Sequence, residues 1–122
     1  MSHFTKLSVQ FQDLGVLQDA FDYLGFQTAR NSQAFDYYRK PVGIYPLVIP
    51  KQGRLHADMY VEDDGTGTYS LHADSMDRAY LESLFIPQLY AQILVERFAL
   101  QNGLFMDSTI DEEGTIEYRL MK

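Results

Sequence analysis

The chain has 122 residues, 46 % of them hydrophobic and 22 % charged, the size and composition of one ordinary globular domain that buries a core without staples. It contains no cysteine, which excludes disulfides, thiolate metal sites and thiol nucleophiles. A net charge of −7 disfavours nonspecific binding to nucleic acid or anionic membrane, and no apolar run approaches the roughly 20 residues of a membrane span.

The opening MSHFTKLS has neither a secretory apolar segment nor the look of a transit peptide, so a cytoplasmic location is expected. Residues 4–11 alternate Leu7, Val9 and Phe11 with Lys6, Ser8 and Gln10, the pattern of a half-buried strand. Asp13 is the expected N-cap of a helix whose stripe is Leu17, Ala20, Phe21 and Leu24, and Gly25 is its left-handed stop. Phe26 to Ala29 are expected to start a second strand. Between Asn31 and Gly53 three prolines break the pattern, which predicts a long structured loop. Only residues 43–49, GIYPLVI, are apolar enough for a strand there, and Pro46 assigns it to a sheet edge or a bulge.

The stretch RLHADMYVEDDGTGTYSLHAD, residues 54–74, is the clearest hairpin. Leu55, Ala57, Met59 and Val61 alternate with His56, Asp58, Tyr60 and Glu62, and Tyr69, Leu71 and Ala73 repeat the pattern on the return. After it, Ser75 or Asp77 suits a helix cap, and Pro87 predicts a break with a fresh start. Residues 87–102 form the strongest predicted helix, with Tyr90, Ile93, Leu94 and Phe98 inward and Glu96, Arg97 and Gln101 outward. Gly103 ends it, and two strands follow, 104–109 and 115–121, around an acidic turn.

This order predicts a single α+β domain: a two-layer sandwich, its sheet antiparallel or mixed, two main helices on one face, related to the ferredoxin-like arrangement.

Two constellations carry possible chemistry. The tetrapeptide LHAD occurs twice, and pairing Val61 with Tyr69 would set His56 opposite Asp74 and Asp58 opposite His72. Imidazole and carboxylate suit a divalent metal such as zinc, iron or manganese, or acid–base work. Solvated cross-strand ion pairs explain the same four residues without a metal. The second constellation is the aromatic and basic run Phe35, Tyr37, Tyr38, Arg39, Lys40 and Tyr45. Residues 30–54 hold five basic side chains and one acid, a net +4 that leaves −11 elsewhere. Such a segment would steer a small anion or an acidic protein surface toward itself, with the rings as contact area. The same rings would also serve simply to cover a sheet edge. His3, at the parity of Leu7 and Val9, reads as a hydrogen-bonded structural residue, and 111–113 as a solvated turn.

Three stretches carry a family likeness: MSHFTKLSVQFQDLGVLQDAFDYLGF, DDGTGTYSLHAD and LYAQILVERFALQNGLFMDSTIDEEGTIEYRLM. On them the chain resembles the hypothetical chloroplast reading frame 35 family of cyanobacteria and plastids (domain of unknown function 1257). It departs from that pattern in lacking a Trp after Ala73-Asp74, where it reads SMDRAY. The resemblance implies a small soluble protein of a photosynthetic lineage and transfers no ligand or reaction to a named residue.

The first functional expectation is therefore a non-enzymatic binding or adaptor module that uses the 35–45 run, with homodimers formed by strand addition along 43–49. The alternative is a metal-dependent enzyme or metal-binding regulator using His56, Asp58, His72 and Asp74. Single-stranded nucleic acid is a third option, and the net charge counts against it.

Overall fold

The structure is a computed structural model that describes residues 4–6, 11–110 and 116–121, with side-chain environments for 11–105 and 119–121. His3, Leu7, Val9 and the acidic run 111–113 lie outside the described residues.

Strand β1 spans Phe4–Lys6, and Phe11 makes an isolated bridge to Tyr69. Helix α1, Leu14–Tyr23, starts as its sequence predicts: the Asp13 carboxylate accepts the Val16 N–H at 3.0 Å. Val16, Leu17, Ala20 and Phe21 are buried, and Gly25 at φ +87° ends the helix.

The segment after α1 corrects the sequence reading. The strand expected to start within Phe26–Ala29 begins at Ala29 and continues to Phe35 as β2, and the strand expected at 43–49 is part of β3 (Pro41–Ile49), so the expected loop is mostly two paired strands. Strand β3 is not an edge strand, because it lies between β2 and the next strand, β4 (Met59–Asp63). Pro46 is tolerated there for two reasons. The ladder to β4 begins only at Leu47, so no partner on that side needs a donor from Pro46. On the other side Asn31, the residue in register with it, turns away at φ +48° and forms no rung.

Strand β5, Tyr69–Asp74, returns from β4 with Val61 opposite Leu71 and Tyr60 opposite His72, two residues from the expected register. The expected pairing would draw Gly67 into the ladder. Instead the turn keeps both Gly65 and Gly67, at φ +79° and +83°, and closes with the Asp64 N–H on the Thr68 carbonyl at 3.0 Å. A two-residue shift preserves the faces, so Met59, Val61, Leu71 and Ala73 remain in the core.

A 3-10 turn, Ser75–Asp77, leads into α2 (Arg78–Ser83), and the chain breaks at Phe85, φ +53°, before α3 (Ile86–Gln101). The break falls where Pro87 predicts it. Asp77 occupies the position before α2 but makes no cap bond; Asp74 caps the 3-10 turn through the Met76 N–H. In α3, Ile86 and Tyr90 are buried as periodicity requires, whereas Leu94 and Phe98 are exposed. The main core cluster reaches Tyr90, with Ile93 packed against it, and the helix continues past it. There Arg97 makes an ion pair with Asp19 of α1. Periodicity marks a stripe but not where its partner surface stops.

The sheet has the order β1-β5-β4-β3-β2 with every ladder antiparallel, and β6 (Phe105–Ile110) and β7 (Ile116–Met121) pair separately. This is an α+β fold. It shares the split strand–helix–strand unit of ferredoxin-like sheets but places three strands between β1 and β2, and its last ribbon does not rejoin the sheet. Val16, Leu17 and Phe21 of α1, Leu81 of α2 and Ile86 and Tyr90 of α3 share one core cluster with Leu47, Ile49, Met59, Val61, Leu71 and Ala73. Ala34, Val48 and Tyr60, of opposite parity on their strands, form a second cluster with Val42 and Tyr45. Among the described residues, no helix is long and apolar enough to cross a membrane.

Candidate functional site

The β2–β3 turn holds most of the basic–aromatic run. The Asp36 N–H donates to the Lys40 carbonyl and the Arg39 N–H to the Asp36 carbonyl, both at 2.9 Å. The Asp36 carboxylate accepts the N–H groups of Tyr38 and Lys40, also at 2.9 Å. Arg39 closes the turn in the left-handed region at φ +61°, a conformation that costs a side-chain-bearing residue roughly 1–2 kcal/mol. Its guanidinium lies 5.2 Å from the Phe35 ring centre and reaches Asp58, Nη1 to Oδ1 3.2 Å.

Asp58 is almost completely buried and fully engaged. Besides Arg39 it accepts the Lys51 N–H on Oδ1 at 2.7 Å and the Phe35 N–H on Oδ2 at 2.8 Å. One carboxylate thus ties the base of the turn to the 50–58 connection. The tip carries Tyr37 and Tyr38, 42 % and 56 % exposed and edge-to-face at 5.1 Å, and exposed Lys40.

Tyr45 lies elsewhere. Its ring sits back over Gly43, where a Cβ would meet the hydroxyl at 3.2 Å, and stacks on Tyr60 at 4.0 Å. Tyr60 in turn stacks on His72 at 4.9 Å with only 6° between planes. The three rings form a ladder across β3, β4 and β5. Burial, then the neighbouring Tyr45, pushes the Tyr60 phenol well above its ordinary range.

The four LHAD residues therefore have separate surroundings. Strand β4 starts at Met59, so His56 and Asp58 precede it and do not face β5. Asp58 serves the Arg39 turn, and His72 joins the ring ladder. Asp74 caps the 3-10 turn with Oδ1, and its buried Oδ2 has no hydrogen-bond partner among the described residues. His56 pairs with Asp77, Nδ1 to Oδ1 2.7 Å. Among the described residues no three His, Asp or Glu side chains gather where they could hold one metal ion.

Sequence reasoning missed two residues of this region. Tyr60 sits between the two LHAD segments, and only the true register reveals it opposite His72. Asp77 reads locally as a helix cap, and nothing in the sequence indicates that its carboxylate turns inward to His56. No family model, curated protein or solved structure matches this chain.

Proposed function

We propose that the protein is a non-enzymatic binding module whose recognition element is the β2–β3 turn, and that its partner is an acidic protein surface. The observation that carries this reading is the Arg39–Asp58 anchor, which holds the turn so that Tyr37, Tyr38 and Lys40 project from a fixed base. Tyr offers large amphipathic contact area at little conformational cost, and a preorganised loop loses less entropy on binding. The net +4 over residues 30–54, against −11 elsewhere, favours an anionic partner, and Lys40 supplies exposed positive charge within the turn itself. Two exposed rings and an exposed Lys in one turn suit a surface better than an enclosed small anion. We also propose, on the likeness of its motifs, that the chain is a divergent member of the reading frame 35 family.

A Glu-rich peptide titrated into isotope-labelled protein tests the reading. Amide shifts should concentrate at 36–40 and vanish in a Tyr37→Ser, Tyr38→Ser, Lys40→Glu variant with an unchanged spectrum elsewhere. Arg39 is left intact because it supports the turn. Shifts confined to other segments, or full binding by the variant, would remove the turn from the proposal.

A further inference from the structure

Asp77 is completely buried, and both of its oxygens are engaged. They accept the His56 N–H at 2.9 and 3.0 Å and the Ala57 N–H at 3.2 Å, in addition to the His56 ring. A carboxylate with that many donors is fixed in orientation. Since it only accepts, His56 Nδ1 at 2.7 Å from Oδ1 is the donor, and the ring proton resides on Nδ1. The lone pair is then on Nε2, at the free end of a side chain that is 48 % exposed.

The carboxylate does not need the imidazole. Two backbone N–H groups already bind it, so a Ser or Asn at position 56 would leave it satisfied. The imidazole is what the pairing changes: its tautomer is set, its plane is held, and any positive charge that develops on the ring meets an anion 2.7 Å away. That is the arrangement of a base or nucleophile oriented by a third group. The two nearest basic residues in sequence have partners of their own: Arg54 lies over the Tyr80 ring at 4.6 Å, and Arg78 pairs with Glu82 at 3.0 Å.

We propose that His56 Nε2 is a modification site that accepts a phosphoryl group from a phosphoramidate or acyl-phosphate donor. The Nε2 lone pair forms the new bond to phosphorus while the bond from phosphorus to the donor's nitrogen or carboxyl oxygen breaks. The leaving group departs with that electron pair and, for the phosphoramidate, takes up a proton from water. Nδ1 keeps its proton, so the ring carries a positive charge that Asp77 stabilises. The attached phosphoryl group adds up to two negative charges to a half-exposed side chain, a local change large enough to alter what that face binds. This site is distinct from the β2–β3 turn and does not depend on the function assigned to it.

The test is incubation of the full chain with phosphoramidate, read by intact mass and by phosphorus NMR, with the modified residue located by fragmentation. His56 should be modified about tenfold faster than His3, His72 or N-acetylhistidine, and Asp77→Asn should slow it by about tenfold. If Asp77→Asn fails to fold, His56→Gln supplies the second arm: the fast product should disappear with the circular dichroism unchanged. Modification of His56 no faster than N-acetylhistidine, or a fast product that survives His56→Gln, would overturn the assignment.

Discussion

Arg39 Nη1 lies 3.2 Å from Asp58 Oδ1, joining a half-exposed guanidinium to a carboxylate only 3 % exposed. The two partners are unequal. Asp58 would lose a buried position supported by two backbone N–H groups, whereas Arg39 would return to water. Asp58→Ala should therefore destabilise the fold by about 2–4 kcal/mol, because it orphans the Phe35 and Lys51 N–H groups. Arg39→Ala should cost about 1–2 kcal/mol, since water reaches the exposed side of the pair. Arg39→Gly should cost less than Arg39→Ala, because glycine accepts φ +61° without strain. Urea denaturation of the three variants checks the order.

Tyr60 gives the protein a stability limit on the alkaline side. Its folded phenol is raised above the unfolded value of about 10. The unfolded chain thus releases this proton first, and above pH of about 10 it binds fewer protons than the native state. The contribution is complete below pH of about 10 and is lost as pH rises toward the folded value. Tyr60→Phe should flatten this part of the stability–pH curve. Absorbance titration of the tyrosinates should lose one late-ionising group in the same variant.

The Tyr90 hydroxyl accepts the N–H groups of Gln12 and Asp13, at 3.1 and 2.9 Å, just ahead of α1. Its ring meets Phe11 edge-on at 4.9 Å. Tyr90→Phe keeps the ring and removes the acceptor, so the expected loss is about 1–2 kcal/mol. Thermal unfolding should show it, with faster hydrogen exchange at Asp13 as the local signature.

Phe85 stands at φ +53° between α2 and α3, largely exposed and with no cap bond from its side chain. Phe85→Gly should raise stability by about 1 kcal/mol, by relieving a left-handed backbone at little loss of packing. Chemical denaturation measures the gain directly. A decrease would mean that the ring's contacts outweigh the strain.

The elements legible in the sequence were those whose signals are local. Asp13 and Gly25 bound α1, Pro87 places the α2–α3 break, and the alternation around Met59 and Leu71 identifies the central hairpin. What escaped depended on distant partners. Pro46 lies in an inner strand because the β4 ladder stops one residue short of it, a fact written nowhere near Pro46. The LHAD repeat suggests a shared site, yet the first copy precedes β4 and the second lies within β5, so equal sequences meet unequal surroundings. The 35–40 run was visible as a cluster, whereas the commitment of Arg39 to Asp58 came from a residue nineteen positions away.

Strand order also has a consequence for how the chain assembles. From β3 to β5 each strand pairs with the one made just before it, so the four strands β2 to β5 close as a meander. Strand β1 is made first and has no neighbour until β5 exists, because Phe4 pairs with Asp74. Loop closure over that separation is slow compared with hairpin formation. The meander should therefore form the nucleus, with β1 docking late, and in the interval the outer side of β5 is a second edge, besides β2, open to intermolecular pairing.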